Sequence, residues 1–318
     1  MKREDLKNNV KIVGELVNKE VKRMNEGKAD EAISLELTVR TSEIEEHQVS
    51  FYAYKYTSKD DKGNRVINKD KISKLFTGYE TVANEFKYIA QEEKDGGDGT
   101  GELVDIKGEL AKNKYVDKQD QFKEFEKIKG TFCSRVKDVS KYKPCAVWEA
   151  HMHITDMQED KSDKTGQFVL VKGMVVGYSE EEFDFRIYSE KAKAGFTKIF
   201  DKGDSARLEG RIVNRPDEAV EVETDEEEGW GDDLEASASS NTIRRRYLEI
   251  VKGDTKPMDT DDEDHPLNED KIKEYKKNIA KRKSDVIAKH EKKKKEQSNE
   301  PKIDPNKGVE VDDEEIPF

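Results

Sequence analysis

A chain of 318 residues that is 33% hydrophobic and 41% charged, with a net charge of −13, is too polar to be packed core throughout. No apolar run approaches the roughly 20 residues of a membrane span, and Met1-Lys2-Arg3-Glu4-Asp5 lacks the apolar stretch of a signal peptide. Cys133 and Cys145 alone make no disulfide framework, so a reducing, cytoplasmic setting is expected, with a folded body and a long hydrophilic tail.

In chain order, residues 9–21 read as a strand rich in β-branched side chains, with Gly14 where a bend or bulge can sit. Residues 33–39 alternate apolar and polar, and residues 49–56 form a third strand. After a polar loop over 58–74, Thr77-Gly78-Tyr79-Glu80 has the form of a capping box. Tyr79, Val82, Phe86 and Ile89 follow at helical spacing, and Gly96-Gly97-Asp98-Gly99 ends that segment. Residues 103–110 make a fourth strand and roughly 124–136 a fifth. Three strands, a helix and two strands is the order of an OB-fold, a small barrel that binds oligonucleotides.

The order then repeats. Strand-like segments cover 146–157, 167–178 and 183–188, a helix covers 190–200 with Gly203 beyond its end, and strands follow over 206–213 and 246–251. The reading is mainly β: two tandem OB-fold-like barrels, each with one helix, followed by a largely disordered charged C-terminal tail. Its parts are a first domain over 1–140, a second over 141–254 with an acidic loop at 216–242, and a tail over 255–318. One elaborated β-domain is the alternative. The tail holds a candidate helix over 269–296, whose stripe of Ile272, Tyr275 and Ile279 is thin for a lone helix in water, and an acidic tip at 310–318.

Charge is spread unevenly. Residues 217–235 hold 11 acids, 259–264 hold five and 310–315 hold five; without them the remainder carries +8, much of it in the lysine-rich stretch 271–296. A body so close to neutral holds phosphates only if its bases gather on one face.

Single-stranded nucleic acid is gripped by aromatic faces and a basic groove. On the third strand, alternation turns Val49, Phe51 and Ala53 inward and Tyr52, Tyr54 and Tyr56 outward, beside Lys55, Arg40 and Arg65. Base stacking explains three outward tyrosines; a second packing surface is the other explanation. Lys112, Lys114, Tyr115, Phe122 and Phe125 lie on or near the hairpin joining the fourth and fifth strands. In the second unit the candidates are Trp148, Phe183, Phe185, Arg186, Tyr188, Arg211 and Arg215, with Arg245 from the run Arg244-Arg245-Arg246. A tryptophan such as Trp148 is more often core than platform, one of the two phenylalanines with its same-face neighbour could fill the barrel, and the arginine run could pair with the acidic loop.

Other chemistry is sparse. There is no phosphate loop and no nucleophile elbow, and the spacing of Cys133, Cys145, His151 and His153 matches no common zinc pattern. No catalytic residue, metal or cofactor is expected.

The chain stops at Asp312-Asp313-Glu314-Glu315-Ile316-Pro317-Phe318. Four acids and a penultimate proline suit an exposed hook with two apolar side chains and a carboxylate. This ending resembles the acidic tip of bacterial and phage single-stranded DNA-binding proteins. Val10-x-x-x-Gly14-x-Leu16 and Ile106-x-Gly108-x-Leu110 resemble the first and fourth strands of the same family. The resemblance implies a non-enzymatic protein of DNA replication, recombination and repair, from a phage or a bacterial replicon and hence in a (host) cytoplasm. It would coat single-stranded DNA without sequence preference, away from any membrane. It also implies that Asp312, Asp313, Glu314, Glu315, Ile316, Pro317 and Phe318 dock helicase, polymerase, primase or repair factors. Two barrels and a lysine-rich linker depart from the family pattern, so its tetramer does not carry over, and a homo-oligomer stays open. The competing readings are a replication scaffold or recombination mediator whose barrels bind protein, and a metal-dependent nuclease.

Overall fold

The computed structural model describes residues 1–59, 65–69, 71–177, 179–216 and 244–298. The acidic loop beyond Pro216 and the acidic tip lie outside the described residues. Among the described residues twelve strands and four α-helices follow one another. The first half holds β1 (Asn8–Met24), β2 (Ala32–Arg40), β3 (Glu46–Tyr54), the short pair β4 (Ser58–Lys59) and β5 (Arg65–Val66), α1 (Lys74–Glu85), α2 (Ile89–Lys94), β6 (Leu103–Val116) and β7 (Phe122–Arg135). The second holds β8 (Cys145–Asp163), β9 (Gly166–Val176), β10 (Glu180–Ile187), α3 (Glu190–Ile199), β11 (Ser205–Pro216), β12 (Arg244–Gly253) and α4 (Glu269–Ser298).

Each half closes into a five-stranded barrel. In the first, β1 pairs β2, β2 pairs β3, β3 runs parallel to β7, β7 pairs β6, and β6 returns to β1. In the second, β8, β9, β10, β12 and β11 close by the same rules, with β10 and β12 the parallel pair. The parallel pairs are only two residues long, Val49–Ser50 with Ile128–Lys129 and Phe185–Arg186 with Leu248–Glu249, so each barrel is partly open there, and the interior fills from alternate residues. Val49, Phe51 and Ala53 of β3 are buried, as are Phe183, Phe185 and Ile187 of β10.

The two barrels bend at corresponding places. The β1–β2 ladder slips between Leu16 and Asn18, and the β8–β9 ladder slips between Ile154 and Asp156. On the other side, Gly108 opposes Gly130 just past a slip at Lys107, and Gly210 opposes Ile250 just past one at Glu209. At both glycines a side chain would collide with partner-strand backbone, the carbonyl oxygen of Lys129 or of Glu249. A bulge increases local twist, and glycine lets the strands approach where a small barrel turns its corner.

The barrels join through their first strands. β1 and β8 pair antiparallel from Asn8↔Ala150 to Val13↔Cys145, and Val10 faces Trp148 at the middle. Val10 also pairs with Gly108, and Trp148 with Gly210. The Val10–Trp148 pair therefore sits on a local half-turn axis relating one barrel to the other.

Helix α1 crosses the first barrel with Phe76, Tyr79 and Val82 buried. Its N-cap is Ser73, one turn before the expected capping box, so Thr77 lies inside the helix. At the other end, Lys19 of β1 donates to the carbonyls of Val82, Ala83 and Phe86 at 3.1, 2.6 and 2.7 Å, placing a cation where the helix dipole is negative.

The expectation that the chain leaves the fold after Asp254 needs correction for residues 255–298. α4 docks: Leu267, Ile272 and Tyr275 are buried against Leu6, Met174 and Val176, with Met258 and Ile279 beside them. Farther along, Arg282 pairs with Glu180 at 2.7 Å, Lys283 lies 4.8 Å over the Phe122 ring, and His290 meets Asp120 at 3.0 Å. A stripe too thin for a lone helix suffices once three remote segments supply its other half. Among the described residues no helix is long and apolar enough to cross a membrane.

Candidate nucleic-acid interface

The outer face of β3 is aromatic, as its alternation requires. Tyr52 is 45% exposed and meets Tyr54 edge to face, with ring centroids 5.0 Å apart. Together with Met24, Asn25, Asp30 and Ile67 they line a cleft of about 390 Å³. The cleft opens beside the β1–β2 turn, one of the two loops with which an OB-fold grips its ligand. Asn25 donates to Asp30 across it at 2.7 Å, and with rings that offer faces and a carboxylate that repels phosphate, the cleft suits a base better than a phosphate. Tyr56 stands apart, half-buried beneath Lys55, whose ammonium lies 5.4 Å from its ring centroid.

The other loop is the β6–β7 hairpin. Tyr115 and Phe125 are 42% and 47% exposed on one face of it, their centroids 6.1 Å apart. The opposite face is spoken for. Lys114 is buried in an ion pair with Glu181, Lys112 pairs with Glu124 at 2.7 Å, and Phe122 lies half-buried beneath Lys283. Lys112, Lys114 and Phe122 thus depart from the sequence expectation, because this side of the hairpin packs on the second barrel and α4.

On the second barrel, where Thr41 and Glu45 of the first reach its edge, a cleft of about 440 Å³ brings together Tyr188, Tyr247, Arg211 and Arg215, with Thr165 and Glu249 on its wall. Tyr188 lies 5.2 Å from Tyr247 and 5.3 Å from Phe168, and the Arg186 guanidinium stacks over Phe168 and Tyr247 at 4.8 and 5.2 Å. The Tyr188 hydroxyl donates to Asp163 at 2.7 Å. Burial, reinforced by that carboxylate, pushes its phenol up to about 12, so the ring stays neutral. Arg245 donates to Thr165 at 2.7 Å, on the rim of the same cleft. Tyr247 and Phe168 escaped the sequence reading. Only the position of Tyr247, directly after Arg244-Arg245-Arg246, hinted at a role.

Two expected platforms prove to be core. Trp148 is 2% exposed and Phe185 fully buried, their centroids 4.8 Å apart, and the indole Nε1 donates to the Arg211 carbonyl at 3.2 Å. Neither ring can receive a base. Several expected cations are already held: Arg40 by Glu15 at 2.7 Å, Lys55 by Glu31 at 3.0 Å, Arg186 by Asp163, and Arg211 by Glu249 at 2.8 Å. Arg65 belongs to β5, and its side chain lies outside the described residues.

The histidines are committed as well. His151 Nδ1 accepts the Lys7 amide at 2.8 Å, and His153 lies 3.2 Å from the Ser205 hydroxyl. Among the described residues no three His, Cys, Asp or Glu side chains converge as a metal ion would require.

Corresponding strands align Val49 with Phe185, since Val49 pairs with Ile128 and Phe185 with Leu248, each two residues before the partner of a bulge glycine. Three residues on, Tyr52 and Tyr188 occupy corresponding positions in the two barrels, and both open onto clefts.

No curated protein matches the chain. By backbone shape it is similar to the wild-type single-stranded DNA-binding protein of Thermus aquaticus, with TM-score 0.45 and 12% identity over 80% of this chain and 94% of that one. A deletion mutant of that protein gives 0.43 and 13% over 80% and 96%. The mitochondrial single-stranded DNA-binding protein of S. cerevisiae gives 0.23 and 10% over 42% and 98%. The YorF family description matches residues 7–298, and the chain belongs to that family.

Proposed function

We propose that this chain is a non-enzymatic single-stranded DNA-binding protein of replication, recombination or repair, coating unpaired DNA without sequence preference. The observation that carries the reading is the tyrosine at the corresponding place on each barrel, Tyr52 and Tyr188, each lining a cleft. The exposed Tyr115–Phe125 pair on the β6–β7 hairpin adds a second aromatic surface to the first barrel. Rings that accept any base give affinity without a sequence code. In this reading the C-terminal Asp312–Phe318 segment recruits replication and repair proteins, and the acidic segment 217–235 competes with DNA for the basic surface.

The test is a titration with oligo-dT at low salt, followed by tyrosine fluorescence and by the anisotropy of labelled DNA. Quenching is expected, and Trp148 should contribute little because its ring is sealed in the core. Replacing Tyr52 by alanine should weaken binding by about 1–3 kcal/mol, the worth of one stacked base, without altering the thermal midpoint. Binding unaffected by Tyr52→Ala and by Tyr188→Ala would remove the reading. Magnesium-dependent degradation of the DNA would favour a nuclease instead.

One observation favours a protein-contact role beside DNA binding. Phe132, Val147 and Val251 are 60%, 37% and 47% exposed. Val147 and Val251 border a cleft of about 680 Å³ over the Val10–Trp148 pair. Apolar surface of this kind is where subunits meet. Sedimentation of the purified chain should show self-association that Val147→Asp reverses; a monomer at all concentrations would dismiss it.

A further inference from the structure

We infer that α4 is an accessory phosphate-binding element: its exposed lysines track the backbone of a DNA strand whose bases are held by the barrels. The inference rests on the DNA-binding reading and extends it to a surface that reading does not use.

Apart from Arg215 on the wall of the Tyr188 cleft, the cations expected at the aromatic surfaces are engaged. Arg40, Lys55, Lys112, Lys114, Arg186 and Arg211 are each engaged by a carboxylate. A strand lying across tyrosines still needs its phosphates neutralised. The densest supply lies on α4, where residues 276–295 carry ten Lys or Arg and two acids in a chain of net charge −13. Within it Lys276, Lys277, Lys281 and Lys289 are exposed. None of these four makes an ion pair among the described residues, whereas Lys271 and Lys273 nearer the helix start are matched to Glu274 and Glu269. At about 1.5 Å per residue these lysines span roughly 20 Å, enough to follow several phosphates.

Docking gives these lysines, spread around the solvent side of the helix, a fixed place. Tyr275 and Arg282 anchor the helix on the second barrel, Arg282 through Glu180, which Arg3 holds from the other side at 2.8 Å. Lys283, His290 and Lys294 hold it to the β6–β7 hairpin, whose other face carries the exposed Tyr115–Phe125 pair. The polycation is therefore a rigid flank of the loop that the first barrel would use to grip DNA. A polyanion is the occupant its charge selects.

The test uses the full chain with Lys276→Gln, Lys277→Gln, Lys281→Gln and Lys289→Gln combined, against labelled oligo-dT of short and long lengths at several salt concentrations. Each phosphate deprived of its lysine should flatten the log–log salt dependence by about 0.7 for a single strand, so a reduction approaching three is expected. Affinity for the long oligonucleotide should fall tenfold or more, with little change for the short one and no change in maximal tyrosine quenching. A control, Lys191→Gln with Lys198→Gln on α3, should leave the slope as it is. An unchanged slope in the fourfold variant, with tyrosine variants still defective, overturns this inference alone. So does an equal loss per lysine in the control, which would show a general charge effect. Failure of the unmodified chain to bind any oligo-dT overturns the DNA-binding reading and this inference with it.

Discussion

Replacing Trp148 by alanine should destabilise the protein by about 3–5 kcal/mol, the usual cost of truncating a buried large aromatic. The indole is 2% exposed, packs on Phe185 and donates to the Arg211 carbonyl. It also fills the space in front of Gly210, where a side chain would meet its ring at 2.7 Å. Because Trp148 lies on the strand pair joining the barrels, its removal opens a cavity where neither barrel can collapse independently. Trp148→Phe should cost far less, keeping the stacked ring and losing one hydrogen bond of about 1 kcal/mol. Urea denaturation followed by far-ultraviolet circular dichroism measures both. A loss below about 1 kcal/mol for alanine would mean that the seam does not depend on this ring.

Acidification from pH 7 to pH 4 should remove up to about 3 kcal/mol of stability through His47 alone. The imidazole is 1% exposed, with Nε2 3.1 Å from the Thr41 hydroxyl, and Nδ1 has no partner among the described residues. Burial first, then the nearby Arg246 and Arg244 guanidiniums, lowers its pKa from 6.5 to about 4. The unfolded chain therefore takes up a proton near pH 6.5 while the native state resists until about 4. The stabilisation is complete above 6.5 and lost as pH falls through that window, at about 1.4 kcal/mol for each unit of difference. Burial lowers His151 and His153 in the same sense, so His47→Gln is the informative variant. Its stability should decline less between pH 6.5 and 4 than that of the unmodified chain. Parallel declines would assign the acid sensitivity to other groups.

Much of the fold was legible because strands announce themselves by alternation. Phe51 inward and Tyr52 outward followed from period two, and the strand-helix-strand order appeared twice. The repeat was invisible residue by residue because what recurs is backbone geometry. The two first-strand bulges fall at Val17 and Thr155, and those opposite the two glycines fall at Thr131 and Val251. A bulge needs an extra residue, not a particular side chain. Long-range pairing set the other limit. Lys114 reads as a free cation until Glu181, 67 residues away, is brought to it, and Ile272 reads as a thin stripe until Leu6 and Met174 cover it. Trp148 and Phe185 show the same limit for aromatics, since sequence shows a ring's strand without showing which end of the barrel is closed over it.

The half-turn at Val10 and Trp148 bears on the direction of travel. DNA is polar, with distinguishable 5′ and 3′ ends, and rotation by 180° about an axis perpendicular to the sheet reverses the sense of any path lying in the plane of the sheet. In the proposed DNA-binding reading, a strand that runs in the plane of the sheet and visits Tyr52 and then Tyr188 with equivalent contacts comes back antiparallel to its first passage. A straight run across both barrels would meet the second one backwards, so equal use of the two favours a bent path, with the intervening nucleotides forming the bend.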